Sequence, residues 1–390
     1  MFLEFFIWGA WFVTMGTYLA KVISSEGFQI TAAYSTQSFG AIIAPFIIGL
    51  IADRFFSAQR ILAILHLIGA ALLYMVAKAE SFGTFYPLIL GYMILYMPTL
   101  ALVNSISFRQ MSDPSKQFAG IRLFGTLGWI AAGLIIGYVM HWEEKGLLRN
   151  TFYMASAVSA FLGFFSFLLP DTPPKRSPES KPTISEMLGL DALRLLKDRG
   201  FLQFFIASVL ICIPLAFYYQ NANLFLNEAG MKNAAGNMTF GQISEVLFML
   251  LLPFFLKRFG LKITILAGMG AWVLRYILFA YGDAGTGIWM LFMGIILHGV
   301  CYDFFFVSGQ IYTDYKAGEK NKSAAQGLIT LATYGVGMLI GFWLAGKVYN
   351  EFAQADGTHD WQMIWIIPSA IAGVVMILFA LIFKNEKIST

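Results

Sequence analysis

Long apolar segments recur along the whole chain, and most are separated by only a short polar stretch. Each is long enough for a helix to cross the hydrocarbon core of a bilayer, which takes about 20 residues. The segments are continuous and lack the polar–apolar alternation of a membrane β-barrel. Because lipid offers no hydrogen bonds to the backbone, helices are the structure that remains. The pattern predicts an all-α polytopic membrane protein.

Composition excludes a water-soluble alternative. The chain is 58% hydrophobic and 12% charged, whereas soluble domains are about 45–50% apolar and about 25% charged. The net charge of +4 does not indicate a nucleic-acid partner, because the basic residues are concentrated in loops on one side of the predicted spans. Cys212 and Cys301 both lie in predicted spans, so neither a disulfide framework nor a thiolate metal site is expected, and no cofactor is predicted.

Twelve transmembrane helices are predicted. The loops on the side of both termini hold most of the 26 Lys and Arg residues, so the positive-inside rule places both termini in the cytoplasm. Glu4 stands where a signal peptide would carry basic residues, which favours a first span over a cleaved leader. The predicted spans lie near 3–22, 32–52, 60–78, 84–107, 120–141, 150–170, 199–226, 239–257, 262–281, 287–312, 323–349 and 361–384.

One long connection divides the predicted spans into two sets of six. It begins with a proline-rich polar stretch and continues with the spacing of an amphipathic helix from Ile184 onward. We therefore expect an N-terminal six-helix bundle at 1–170, a cytoplasmic linker at 171–198 and a C-terminal six-helix bundle at 199–390.

The two halves are similar to each other at a single offset, which predicts pseudo-symmetric bundles and alternating access around a central site. The paired glycines four residues apart are interpreted as ordinary helix packing, with a rocking contact between the halves as the alternative. The matches place Arg54-Phe55 on Arg258-Phe259, and Thr126, Gly133 and Gly137 on Thr330, Gly337 and Gly341.

Ionisable residues inside apolar spans are costly and need a partner or a water-filled cavity. On the fifth span Arg122, Thr126 and Trp129 share one helix face. Gln242 and Glu245 share a face of the eighth span. We expect these faces to line one cavity, in which Arg122 pairs with Glu245 or with the solute.

A third polar face lies on the tenth span, where His298, Tyr302 and Phe305 form a stripe and Asp303 points about a quarter turn away. Asp303 is either a proton site or the structural partner of Arg275. Glu245 is the other carboxylate expected to carry a proton.

The seventh span contains an unusually polar run at 218–223 for a helix that otherwise suits lipid. From this run Tyr219, Gln220 and Asn221 are predicted to line the cavity. His66, on the third span, is interpreted as a helix-packing residue.

These residue types indicate recognition without bond breaking. Aromatic rings and amides suit the flat face and polar edge of a nucleobase, and charged groups suit ribose hydroxyls. Sugars would use similar groups, so this alternative stays open. No nucleophile–base set, metal cluster or nucleotide-binding loop indicates an enzyme.

Several strings resemble those of the nucleoside:proton symporter family within the major facilitator superfamily. The loop 49–60 is similar to the superfamily's loop signature without its usual second glycine. More specific similarity lies in Tyr96-Met-Pro-Thr-Leu, Ile121-Arg-Leu-Phe-Gly-Thr-Leu-Gly, Gln242-Ile-Ser-Glu-Val-Leu-Phe, Trp272-Val-Leu-Arg-Tyr-Ile-Leu-Phe-Ala-Tyr-Gly-Asp and Asp303-Phe-Phe.

This resemblance runs from the first span to the last. It implies a monomeric carrier in a bacterial inner membrane that imports nucleosides with protons, surrounded by lipid and without a nucleic-acid partner. A sugar carrier of the same fold and a receptor that does not transport are the alternatives. The positions that match the family's nucleoside site are Arg122, Thr126, Trp129, Gln242, Glu245, His298 and Tyr302.

Three positions depart from the family pattern. Relatives carry glutamine, asparagine and tyrosine where this chain has Ala216, Tyr219 and His298. Base preference is therefore open. We hypothesise that Gln220 or Asn221 replaces the missing amides.

Overall fold

The computed structural model describes residues 1–47, 56–112, 114–173 and 190–384, and most of them are helical. Within these ranges there is no β-strand beyond a single bridge between Ala353 and His359. The all-α prediction is confirmed. The loop at Asp53-Arg54 and the start of the predicted linker helix lie outside the described residues. The end of that helix, Leu190–Lys197, is a 3₁₀ helix.

The chain divides into two compact units, Met1–Leu188 and Gly189–Thr390, and the division falls inside the predicted linker. The helices of the first unit are α1 (Phe2–Gly9), α2 (Met15–Lys21), α3 (Gly27–Ile47), α4 (Ala58–Ala77), α5 (Phe82–Gln110), α6 (Pro114–Leu134) and α7 (Arg149–Ser166). Those of the second unit are α8 (Arg199–Glu228), α9 (Ala234–Tyr281), α10 (Ile288–Ile296), α11 (His298–Tyr302), α12 (Ser308–Thr330), α13 (Met338–Glu351) and α14 (Trp361–Ile382).

Among the described residues, eight helical stretches are long and apolar enough to cross a membrane. Between about two fifths and three fifths of each is buried in the protein, and large apolar side chains such as Leu250 and Leu381 remain exposed on the outer faces. That outer surface suits lipid and confirms a multi-pass membrane protein. The stretches are Ala58–Ala77, Phe82–Gln110, Gly120–Val139, Arg199–Glu228, Ala234–Tyr281, Ile288–Gly318, Ala325–Glu351 and Trp361–Ile382.

The first predicted span is a broken helix rather than a continuous one, because α1 ends at Gly9 and α2 begins at Met15. Tyr34 of α3 compensates for the break: its hydroxyl donates to the Phe12 carbonyl and accepts from the Gly16 N–H, both at 3.1 Å. Irregular backbone inside a membrane protein requires such internal partners.

Other interruptions occur where the sequence supplies a suitable residue. Gly260 has φ 79°, which divides α9 between the predicted eighth and ninth spans; the left-handed region suits glycine. A π-helical turn runs from Asp303 to Val307. Such turns insert an extra residue and often mark functional sites.

Gly337 and Gly341 pack within the second unit. A Cβ at Gly337 would lie 2.8 Å from the Cβ of Cys212, and one at Gly341 would lie 2.9 Å from the Ile213 backbone. Both neighbours belong to α8. These contacts favour the interpretation of this glycine pair as helix packing.

Candidate functional site

The predicted face of α6 in the first unit lies against α1. The Arg122 guanidinium stands 4.3 Å from the centroid of the Phe5 ring. Trp129 meets Trp8 edge-on at 5.6 Å, and a Cβ at Gly9 would lie 3.0 Å from the Trp129 ring. Thr126 lies between Arg122 and Trp129 in the sequence. It is buried, whereas those two residues are half-buried. This face of α6 therefore presents a cation and an aromatic ring, both packed against the short helix α1.

In the second unit, two helices approach closely enough to bring predicted site residues together. A Cβ at Gly241 of α9 would lie 3.0 Å from the Cβ of His298. Ser244 spans the break between α10 and α11, because its hydroxyl donates to the Ile296 carbonyl at 2.6 Å and accepts from the Gly299 N–H at 3.0 Å. The backbone groups at this helix break thereby gain hydrogen-bond partners next to the site.

A buried chain of charged and polar groups follows from that approach. Arg275 Nη1 lies 3.2 Å from His298 Nδ1, and His298 Nε2 lies 3.9 Å from Glu245 Oε2. Arginine can only donate, so Nδ1 accepts and a neutral His298 carries its proton on Nε2, facing Glu245. Arg275 therefore contacts a predicted site residue, although the sequence had suggested a structural role.

Aromatic rings surround these buried charged and polar groups. The Arg275 guanidinium lies 3.5 Å from the centroid of the Tyr218 ring, and Tyr218 stacks on His298 at 5.5 Å. Tyr302 shares a hydroxyl contact of 3.3 Å with Tyr334. Tyr219 is half-buried and interacts electrostatically with Glu245. Tyr218 and Tyr334 join the set only through packing, and nothing in the sequence spacing distinguishes them.

Two further predicted residues have unsatisfied polar atoms. Asp303 is fully buried, and neither of its carboxylate oxygens has a hydrogen-bond partner among the described residues. Arg275 does not supply that partner. Asn221 is fully buried, and both its amide oxygen and its amide nitrogen lack one. Gln220 is also buried and Gln242 is half-buried.

Phe305, the third residue of the predicted His298 stripe, lies within a π-helical turn. It is buried against Trp272 and Phe204, with ring centroids 5.7 Å and 5.9 Å away. The π turn that begins at Asp303 adds a residue to the helical repeat, so positions beyond it rotate relative to an ideal helix.

The first unit contains a second polar cluster that sequence reasoning missed. Glu4 contacts His66 at 2.9 Å and Thr99 at 2.6 Å. The available signal was an acidic residue inside an apolar span. Over the described ranges, no group of three His, Cys, Asp or Glu side chains is placed to hold a metal ion.

Comparison with known proteins gives consistent matches over almost the entire chain. A family model described as "Nucleoside H+ symporter" matches residues 1–388. The putative nucleoside transporter YegT of Escherichia coli (strain K12) is 45% identical, covering 99% of this chain and 92% of the relative. The nucleoside permease NupG of the same organism is 33% identical, covering 99% and 95%. A crystal structure of NupG superposes with a TM-score of 0.87 at 34% identity, covering 99% of this chain and 97% of that one.

Proposed function

Because this chain belongs to the nucleoside H+ symporter family, we propose that its buried polar groups serve proton-coupled nucleoside import by alternating access. It is a secondary transporter and not an enzyme. The observation that carries the proposal is the Arg275–His298–Glu245 chain, which lies with stacked tyrosines inside helices that otherwise suit lipid. Such groups are retained inside a membrane protein when solute or protons use them.

We propose that both units contribute groups that contact the nucleoside during the transport cycle. Aromatic faces stack on bases, amides pair with their polar edges, and charged groups bind ribose hydroxyls. In the first unit these groups are Arg122, Thr126 and Trp129. In the second unit they are Tyr219, Gln220, Asn221, Gln242, Glu245, His298 and Tyr302.

Asn221 is the strongest candidate to replace the amide that relatives carry at position 219. Its buried amide has an unpaired donor and an unpaired acceptor. Leaving both of these hydrogen bonds unmade is costly. A nucleobase edge offers the complementary pair. Asn221→Ala is expected to weaken nucleoside binding about tenfold or more, measured by calorimetry on purified protein, and unchanged affinity would remove the hypothesis.

For the proton, we propose Asp303 and Glu245 as the carrying carboxylates of the second unit. Among the described residues, no cation lies within hydrogen-bonding distance of Asp303, and its unpaired oxygens make an ionised carboxylate costly there. A group of this kind favours carrying a proton in the state seen here.

We also propose twelve spans, with both termini in the cytoplasm of a bacterium and the protein in its inner membrane as a monomer. Support comes from the eight long apolar stretches, one of which, Ala234–Tyr281, is divided at Gly260 into two predicted spans. The broken α1–α2 segment, Gly27–Ile47 and Arg149–Ser166 coincide with the remaining three predicted spans.

Uptake into proteoliposomes tests the function. Labelled adenosine and uridine should accumulate above the external concentration when an inward proton gradient is imposed, and should only equilibrate without it. Unlabelled nucleosides should compete and free sugars should not. Competition by sugars alone would instead support the sugar carrier. Asp303→Asn should concentrate solute less than the unsubstituted protein; if it concentrates solute normally, the proton site of this unit is Glu245 or lies elsewhere.

A further inference from the structure

Glu4 is a completely buried carboxylate in the first unit, with 0% of its surface exposed. Two helices, α4 and α5, supply its partners. Its Oε2 lies 2.9 Å from His66 Nε2 on α4, and its Oε1 accepts a 2.6 Å hydrogen bond from the Thr99 hydroxyl on α5. The Tyr96 hydroxyl donates to the Glu4 carbonyl at 2.7 Å, which holds the backbone of α1 in place.

The other nitrogen of His66 determines how many protons this pair holds. The Ser159 hydroxyl lies 3.1 Å from His66 Nδ1 and donates its hydrogen to the His66 carbonyl at 2.9 Å. With the single serine hydrogen directed to that carbonyl, Nδ1 is the donor to Ser159. In a neutral imidazole protonated on Nδ1, Nε2 is a bare acceptor.

A bare Nε2 cannot face an ionised carboxylate at hydrogen-bond distance, because both atoms would be acceptors. In this tautomer the 2.9 Å contact holds one further proton between His66 Nε2 and Glu4 Oε2. The loaded pair is either an imidazolium with a carboxylate or an imidazole with a carboxylic acid. Both forms have no net charge, as a buried site prefers.

Few other charged or titratable groups face the pair from the described helices around it. On α1 it is the Met1 amino group, which interacts with both Glu4 and Arg122. On α5 they are Tyr92 and Tyr96, whose rings stack at 5.5 Å. On α6 it is Arg122, whose field also reaches Tyr96. On α7 the contacting residue, Ser159, is uncharged.

Helix α1 connects this pair to the proposed nucleoside contacts of the same unit. Phe5, the next residue after Glu4, lies against Arg122. Trp8, one turn later, contacts both Trp129 at 5.6 Å and Tyr96 at 5.7 Å. These contacts link α1, which carries Glu4, to two groups proposed to contact the nucleoside.

We propose that the Glu4–His66 pair is a second proton-binding site, and that it carries one of the protons moved with each nucleoside. The inference rests on the proposed proton symport. In the cycle, the N–H or O–H bond between Nε2 and Oε2 breaks and the proton leaves to water on the receiving side. The pair left behind has a net charge of −1, which attracts Arg122. A proton from the opposite side restores the neutral pair.

The number of coupled protons tests this proposal directly. In proteoliposomes, each coupled proton supports about a tenfold solute gradient per unit of imposed pH difference. The logarithm of the accumulation ratio is plotted against that difference, and its slope gives the proton count. Glu4→Gln keeps an acceptor for Thr99 and a donor for His66 but removes the carboxylate. Its slope should be lower than that of the unsubstituted protein by about one.

A matched control is present in the same chain. Glu228 and His359 form another carboxylate–imidazole pair at 2.9 Å, in which Glu228 is exposed. Glu228→Gln should leave the slope unchanged, whereas Asp303→Asn should lower it independently of Glu4→Gln. Exchange of labelled for unlabelled nucleoside verifies that each variant is functional.

Each outcome separates the hypotheses. A zero slope for the unsubstituted protein would refute proton symport itself, and leave the pair without a function. An unchanged slope in Glu4→Gln would overturn the second site alone. Loss of exchange in a monodisperse Glu4→Gln protein would show that the pair positions α1 and would also overturn it. If Glu4→Gln does not yield folded protein, His66→Gln is measured with the same expectations.

Discussion

Each unit contains a buried carboxylate beside an imidazole, but the two pairs are built differently. In the first unit His66 Nε2 meets Glu4 at 2.9 Å, and Nδ1 donates to Ser159. In the second unit His298 Nδ1 accepts from Arg275, and Nε2 faces Glu245 at 3.9 Å. The two imidazoles therefore present opposite nitrogens as donors.

The difference shows how a permanent cation balances the charge of a buried carboxylate in a low-dielectric site. Arg275 stays charged at any accessible pH, so the pair in the second unit is balanced without an added proton. The pair in the first unit has no arginine within hydrogen-bonding distance among its described contacts and needs a proton to become neutral. We therefore expect His298 to be available for solute, and Glu4 and His66 to exchange a proton.

Removing the cation of the second unit should have the largest effect. Arg275→Gln leaves Glu245 uncompensated, and breaking a buried charged pair costs about 3–5 kcal/mol. We expect nucleoside uptake to fall by about a hundredfold or more and the thermal midpoint of unfolding to fall with it. Uptake into proteoliposomes and a melting curve measure both.

The control for this change is Arg258→Gln, at an exposed arginine of the same helix. It should change neither uptake nor melting by more than a small amount, since surface substitutions usually stay within about 0.5 kcal/mol. Normal uptake by Arg275→Gln would show that the second pair does not depend on a permanent cation, and the contrast between the units would fail.

A smaller effect is expected from the first unit when a hydrogen bond to its carboxylate is removed. Thr99→Val deletes the hydroxyl that donates to Glu4 Oε1, and hydrogen bonds to charged groups contribute about 1.5–3 kcal/mol. The unfolding free energy should fall by about 2 kcal/mol. Thr330→Val is the control, because Thr330 is exposed and its hydroxyl donates to the Gln326 carbonyl of its own helix. Equal stability of the two variants would contradict a strongly bonded Glu4.

The smallest effect should come from the ring beneath Arg275. Tyr218→Leu removes the aromatic face 3.5 Å from the guanidinium, and cation–π contacts contribute about 0.5–2 kcal/mol. Nucleoside affinity should fall severalfold, whereas Tyr218→Phe should keep most of it. Calorimetric titration distinguishes them. If phenylalanine is as damaging as leucine, the hydroxyl rather than the ring supports the cation.

The broad architecture could be predicted from sequence because it depends on local composition. The apolar segments predict the helices, and the i, i+4, i+7 spacing predicts that Arg122 and Trp129 lie on the same side of α6. Both interact with α1 as that spacing implies. The π turn at Asp303 shows the limit of this reasoning, because the spacing of an ideal helix does not hold across it.

Contacts between distant residues could not be predicted in the same way. Arg275 and His298 are 23 residues apart, and Glu4 and His66 are 62 apart. Each pair lies on two helices whose relative rotation is set by packing, for example by the close approach at Gly241. No spacing rule relates residues on separate helices, so the contact between Glu4 and His66 was not predicted.

The sequence alone determined that this chain enters a membrane as apolar helices and, through its motifs, to which family it belongs. Segment hydrophobicity acts residue by residue and needs no knowledge of neighbours. The packing of the helices sets which nitrogen of each histidine faces a carboxylate, and which pair has an arginine in place of a proton. Those properties depend on distances of about 3 Å between groups that the chain alone keeps far apart.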